Sequence, residues 1–319
     1  MITKGNDIEA RYGPQSPADD PFTRKARLLQ SYFRAEVLKE PMGVGPELTS
    51  TSRFGNMLRE GAITGKNFLN EDVFNYARKK VYQKKDIKEL NIDEYSLFNN
   101  MLSSMPLCFN LFYPFKQALD THQACIHRAF RSIFPWLPLQ RVNRIHIEYI
   151  PLPVEDYIDD NTTFDAVVLF EDEDRRAGLL TVEVKYTRPL NAELGESNAR
   201  KADVAESAGI FTPQAVNDIQ QSGCTQLMDN ILLTESYRLK HKLANSQHVV
   251  LAPTDEQFSK QEVAEVQSML LPTSQNKIAR VTLERMIRAA RKAARGPLRD
   301  QLDAFYARYL DFKKIKALL

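Results

Sequence analysis

Apolar and β-branched residues are concentrated in two short runs near the middle of the chain, residues 163–170 and 181–187. Runs of four to eight residues rich in Val, Thr, Phe and Tyr are typical of β-strands. A charged interval, residues 171–178, separates them, so the pattern predicts a β-hairpin. Because successive side chains of a strand point to opposite faces, Glu183 and Lys185 are expected to share one face.

The first of these runs is apolar on both faces around Asp165, which indicates a strand covered on both sides within a layered sheet. An earlier strand is predicted over residues 141–150. Strict alternation there places Val142, Arg144 and His146 on the same polar face as Glu148. Glu148 can therefore be an exposed strand acid or an acid next to a site, and the pattern alone favours neither.

Helical spacing dominates the rest of the chain. Residues 1–92 are predicted to form an N-terminal arm and a mostly helical extension, with a Pro and Gly loop at residues 41–55. Residues 93–319 are predicted to form a second domain, an α/β (α+β) unit with a mixed central sheet flanked by helices. Within it, one long helix is expected over residues 212–240, with Pro213 at its first position.

Composition excludes some classes of protein. Lys and Arg total 43 against 41 for Asp and Glu, so a net charge of +2 does not indicate a generally basic nucleic-acid binder. No apolar run approaches the length of a membrane span and the first 20 residues are polar, so no membrane contact and a cytoplasmic location are expected. A local basic stripe at helical spacing is a candidate contact for a phosphate backbone, although a solvated helix face has the same pattern. It comprises Arg285, Arg288, Arg291, Lys292 and Arg295.

The charged residues in the predicted hairpin require a physical reason, because buried carboxylates and ammonium groups are costly to desolvate unless they pair or hold a metal. One interpretation is a structural Glu183–Lys185 ion pair with Asp165 near solvent. The other is a cation site in which Asp165 and Glu183 supply hard oxygen ligands for Mg²⁺ and Lys185 acts on a water molecule. Spacing alone leaves both interpretations open.

The arrangement of Asp165 followed by Glu183-Val184-Lys185 resembles the PD-(D/E)XK nuclease superfamily, which has the restriction-endonuclease-like fold. The preceding strand with Glu148 and a later helix with Gln226 fit the same pattern. Residues 103–112, Glu148-Tyr149 and residues 308–312 are also similar to a bacterial branch of such proteins, over roughly residues 95–319. The chain departs from the family motif at one position, where Phe164 replaces the Pro that gives the motif its name.

The resemblance implies metal-dependent hydrolysis of phosphodiester bonds in DNA, by an endonuclease of restriction or defence type that uses Mg²⁺, with Mn²⁺ as a substitute. It implies that Asp165, Glu183 and the Val184 carbonyl bind the metal and that Lys185 helps position or deprotonate the attacking water. Glu148 and Gln226 would support the site. A homodimer is compatible with cutting two strands. The alternative is a catalytically silent nucleic-acid-binding protein on the same fold.

Overall fold

A computed structural model gives the fold and describes residues 4–187 and 194–318. Within these ranges, none of the helices combines the length and the apolar character needed to cross a membrane. The N-terminal part contains five helices and a small antiparallel hairpin. Its elements are α1 (Lys4–Tyr12), α2 (Pro21–Tyr32) continued by a π-helical turn (Phe33–Leu38), β1 (Met42–Val44), β2 (Arg53–Leu58), α3 (Gly61–Thr64), α4 (Glu71–Gln83) and α5 (Glu94–Asn99).

The ends of these helices follow ordinary capping rules. Asp20 accepts hydrogen bonds from the main-chain N–H groups of Phe22 and Thr23 and so caps α2, whose first residue is Pro21. Asn70 caps α4 in the same way, with Glu71 next to it in the first turn. The β1–β2 hairpin begins inside the segment 41–55 that the sequence predicted to be a loop and extends to Leu58. Gly43 and Gly55 allow close backbone packing that the composition does not reveal.

The remainder of the chain forms a mixed five-stranded sheet between helices. The strands are β3 (Arg141–Tyr149), β4 (Phe164–Glu171), β5 (Ala177–Val184), β6 (Asn245–Ala252) and β7 (Ile278–Thr282), in the order β3-β4-β5-β6-β7. β3, β4 and β5 are antiparallel neighbours, and β5, β6 and β7 run parallel. The helices are α6 (Ser104–Thr121), α7 (Gln123–Ile133), α8 (Ala199–Ala208), α9 (Pro213–Ser222), α10 (Gln226–Lys240), α11 (Phe258–Met269), α12 (Leu283–Ala293) and α13 (Pro297–Tyr309).

Each face of the sheet is buried against helices. Val182, Val184 and Ile147 belong to a large core shared with α6, α7, α12 and α13, whereas Val167 and Leu179 pack on the other face against α8 to α11. The large core also includes Phe22 of α2 and Val73 of α4, so the N-terminal helices pack against the same apolar cluster. The predicted mixed sheet with flanking helices is confirmed.

The predicted hairpin is formed by β4 and β5, and its turn is closed by Asp172. One carboxylate oxygen of Asp172 accepts the N–H groups of Asp174 and Arg176, at 3.0 Å and 2.9 Å, as an Asx turn requires. Pairing then continues without a register shift from Glu171–Ala177 to Ala166–Val182. A regular ladder of this kind fixes which residues lie opposite each other at the open end of the hairpin.

Two sequence predictions were wrong in detail. The strict alternation in β3 fails at its start, because the register shifts between Val142 and Arg144 and turns Val142 into the large core. The predicted helix 212–240 is two helices, because Gly223 adopts a φ of +76° and ends α9 after Ser222. Gln226 is therefore the first residue of α10 rather than a residue in the middle of a helix.

Candidate active site

The register of three adjacent strands brings Glu148, Asp165 and Glu183 to the same level of the sheet. Asp165 is one residue beyond the pair Ala166–Val182, which places it opposite Glu183. The pairs of β3 with β4 on either side, Ile147–Ala166 and Tyr149–Phe164, place Glu148 opposite Asp165. Carboxylates that lie opposite each other on one sheet repel, so this row needs a compensating positive charge or proton.

Protein donors already hold two of these carboxylates. Asp165 accepts a hydrogen bond at its Oδ2 from the main-chain N–H of Val184, at 2.6 Å. Lys185 Nζ lies 2.7 Å from Glu183 Oε1, and Asn230 Nδ2 donates to Glu183 Oε2 at 3.1 Å. Glu183 is therefore fixed from both sides, by a cation on its own strand and by an amide from α10.

Burial and mutual repulsion perturb the acids. Desolvation, together with the nearby charge of Glu183, raises the pKa of Asp165 to about 8. Desolvation followed by the charges of Asp165 and Glu183 raises the pKa of Glu148 well above its ordinary value, with Lys80 acting in the opposite direction. Glu148 is only 4 % exposed, and its Oε1 has no hydrogen-bond partner among the described residues. Without a counter-charge, the ionised forms of Asp165 and Glu148 are therefore strongly destabilised.

Lys185 provides part of that counter-charge. Burial by itself lowers the pKa of Lys185, but the negative charges of Glu183 and Asp165 outweigh burial and raise it. The side chain is therefore an ammonium group at neutral pH. When the three acids are ionised, this one ammonium group leaves an excess of negative charge that suits a divalent cation.

The acids open into a cavity of about 510 Å³ between the sheet end and the N-terminal helices. Gln226 lines this cavity beside Glu183 and Lys185. The lining also includes polar side chains from α5 and the residues next to it, and from the loop before β4. These are Asn91, Asp93, Ser96, Asn100, Asp160, Asn161, Thr162 and Thr163.

Comparison with known proteins agrees with this geometry. The family model of the PD-(D/E)XK nuclease superfamily matches residues 17–311. The chain belongs to the PD-(D/E)XK nuclease superfamily. Searches of curated proteins and of solved structures give no significant match. Membership indicates a nuclease, a hydrolase of phosphodiester bonds, and the region matched includes most of the N-terminal extension as well as the sheet.

Members of this superfamily generally use divalent metals, and the residues of this chain fit such an ion by their chemistry. Among the described residues, no three His, Cys, Asp or Glu side chains are already arranged as a ready metal cluster. The donor set nevertheless consists of hard oxygens, and one of them, Glu148 Oε1, is buried without a partner among the residues described. The N–H of Val184 points to Asp165 of β4. Because the N–H and carbonyl of one strand residue face the same neighbouring strand, the Val184 carbonyl also faces β4.

The first turn of α10 carries side chains that sequence analysis did not identify as functional. Asn230 was not singled out from the sequence, yet its Nδ2 donates to Glu183 Oε2. Lys201 of α8 is completely buried and pairs with Asp229 of α10 at 2.8 Å and with Asp160 at 2.9 Å. This ion triad ties α8, α10 and the loop before β4 together at the cavity. The sequence did not predict this triad, because Lys201 is a single Lys in a segment of mixed charge.

Four residues of the predicted basic stripe lie on α12, Arg295 follows the end of that helix, and none of the five lines the cavity. Arg285, Arg288 and Lys292 are exposed, and the guanidinium of Arg285 lies over the Trp136 ring at 5.1 Å. Arg291 pairs with Asp303 at 2.5 Å, and Arg295 donates to main-chain carbonyls including that of Lys292. Some residues of the stripe therefore already make contacts within the chain.

Proposed function

We propose that this protein is a Mg²⁺-dependent deoxyribonuclease, able to use Mn²⁺, and that it is an endonuclease of restriction or defence type. The observation that carries the proposal is the row of Glu148, Asp165 and Glu183 across three strands, with Lys185 on Glu183. A structural ion pair alone would need Glu183 and Lys185. It gives no reason for two further acids with raised pKa values beside that pair.

Asp165, Glu183 and the Val184 carbonyl are the proposed metal ligands. A bound divalent cation would lower the pKa of a water molecule and balance charge on the phosphate. Lys185, held as an ammonium group by Glu183, would orient the attacking water and stabilise the negative charge that develops on the phosphate. Glu148, with one carboxylate oxygen unpartnered among the described residues, would hold a proton or orient that water.

Residues around the cavity have supporting roles in this proposal. Asn230 keeps the second oxygen of Glu183 in place, and Gln226 faces the cavity where a substrate phosphate would lie. The exposed members of the α12 stripe, Arg288 and Lys292 among them, are the proposed contacts to the DNA backbone outside the cavity. Two copies of the chain acting together would cut both strands of a duplex.

Metal titration tests the proposal without relying on turnover. A cation that binds only the folded state at 100 times its Kd stabilises that state by about 2.7 kcal/mol, so Mg²⁺ or Mn²⁺ is expected to raise the melting temperature. Glu183→Gln is expected to abolish the rise. Glu235→Gln is the matched control, because Glu235 is also a buried acid paired with a Lys, Lys277 at 3.2 Å, but does not line the cavity. A melting temperature of the native chain that does not respond to either metal contradicts the proposal.

A further inference from the structure

A lysine from the N-terminal extension reaches the active-site row. Lys80 of α4 donates from Nζ to the main-chain carbonyl of Glu148, at 3.1 Å, across 68 residues of sequence. Its pKa is lowered by burial, while the carboxylate of Glu148 acts in the opposite direction. The ammonium group therefore lies close to both the carbonyl and the side chain of Glu148.

The backbone at Glu148 is unusual. Glu148 has a φ of +48°, in the left-handed region that residues with side chains rarely adopt. Such a conformation costs about 1–3 kcal/mol and persists only where neighbouring groups hold it. It interrupts the alternation of β3, because Ile145 and Ile147 pack in the large core whereas Tyr149 packs against the opposite core.

This backbone conformation coincides with the acid of the row that has a buried carboxylate oxygen without a hydrogen-bond partner among the described residues. The Oε1 of Glu148 is buried and unpartnered in the described part of the chain, beside Asp165. No hydrogen bond from this carboxylate to a described residue accounts for its place. The bond from Lys80 fixes the peptide group that follows Glu148, and a fixed peptide group limits where the attached side chain can point.

We propose that Lys80 is a positioning residue, which holds the left-handed conformation of Glu148 through its main-chain carbonyl and so keeps the Glu148 carboxyl in the row with Asp165. The inference rests on the proposed function, because it assigns the N-terminal extension a part in the metal-binding site. It also explains why α4 belongs with the catalytic sheet. Without α4, the edge strand β3 would lose both the hydrogen bond from Lys80 and the group that keeps the Glu148 carboxyl in the row.

The chain offers a matched control on the same strand. Lys116 of α6 donates from Nζ to the carbonyl of Ile145 at 3.0 Å, and Ile145 has no positive φ. Both lysines protect the free edge of β3, which is a common use of Lys at sheet edges. If protection of the sheet edge were the only role of Lys80, Lys80→Met and Lys116→Met would change Mn²⁺ affinity to the same extent.

The test compares Mn²⁺ affinity by calorimetry for the native chain and for Lys80→Met, Lys80→Arg and Lys116→Met. Loss of an outer partner of a metal site typically costs 10–100-fold in metal affinity or activity. Because Glu148 lies opposite the proposed ligand Asp165, a loss of this size in Mn²⁺ affinity is expected for Lys80→Met alone. Lys80→Arg, which keeps a donor, is expected to bind like the native chain. Removing a cation beside carboxylates would by charge alone strengthen Mn²⁺ binding, so unchanged or tighter binding by Lys80→Met overturns the proposal.

A crystal structure of Lys80→Met supplies a readout that needs no metal. Glu148 is expected to return to a negative φ with its carboxyl turned away from Asp165, and an unchanged left-handed Glu148 overturns the proposal. If Lys80→Met does not fold, Lys80→Gln provides the same two comparisons, because it removes the charge and shortens the side chain. A native chain that binds no Mn²⁺ instead overturns the proposed function, and the crystal structure then decides the role of Lys80.

Discussion

Replacing Asp165 by Asn is expected to stabilise the metal-free protein although it removes a proposed ligand. The pKa of Asp165 rises from 3.8 to about 8 in the folded state because of burial and the charge of Glu183. At about 1.4 kcal/mol per pKa unit, a shift of this size corresponds to about 6 kcal/mol of lost stability once the carboxyl is ionised in both states. This is an upper limit, since the Asn side chain must also be buried.

The sign of the pH dependence follows from proton binding. Well below pH 4, Asp165 is protonated in both states and contributes no penalty. As the pH rises from 4 to 8, the unfolded chain loses this proton while the folded chain keeps it, so stability falls. The advantage of Asp165→Asn over the native chain should therefore grow from about 1–2 kcal/mol at pH 5 to about 2–6 kcal/mol at pH 9.

Urea unfolding in EDTA at pH 5, 7 and 9 measures this difference. Asp174→Asn is the control, because Asp174 lies in the turn of the same hairpin with a side chain 71 % exposed, and such surface changes usually stay within about 0.5 kcal/mol. Equal or lower stability of Asp165→Asn at pH 9 would refute the argument that the acids repel one another. Addition of Mg²⁺ should favour the native chain only.

Four further variants test the rest of the proposal. Asn230→Ala removes the donor to Glu183 Oε2 and should weaken Mn²⁺ binding about 10–100-fold by calorimetry, whereas unchanged affinity would exclude a supporting role. Gln226→Ala should lower cleavage in single-turnover assays, and equal cleavage rates would remove Gln226 from the site. Arg288→Ala and Lys292→Ala should each reduce the slope of log affinity for DNA against log salt by about one, and unaltered slopes would exclude α12 as a backbone contact.

The hairpin and its acids could be predicted because local patterns determine them. Alternation of apolar and polar residues sets which face Glu183 and Lys185 occupy, and a short charged turn sets the pairing of β4 with β5. Asp165 then lies opposite Glu183 as a matter of register. The prediction of a metal site came from the family resemblance, because spacing alone was equally compatible with a structural ion pair.

Contacts between distant segments could not be predicted in this way. Asn230 binds Glu183 across 47 residues, and Lys80 binds Glu148 across 68 residues, so no local pattern reports either contact. The left-handed backbone at Glu148 is equally hidden, because Glu rarely adopts it and nothing in its neighbours requires it. Gly223 is a residue type that commonly ends helices, and it does end α9. The apolar pattern continues on both sides of it, so the sequence predicted one helix instead of two.

The most direct test of the central claim is cleavage of circular plasmid and single-stranded DNA with Mg²⁺, with Mn²⁺ and with EDTA. The native chain is compared with Asp165→Asn and Lys185→Ala in single-turnover experiments. The account predicts metal-dependent cutting of the circular substrate, which has no ends, and a loss of about 10²–10³-fold or more in both variants. No cutting of either substrate by the native chain, or equal cutting by the variants, would contradict the assignment of this site as a metal-dependent endonuclease.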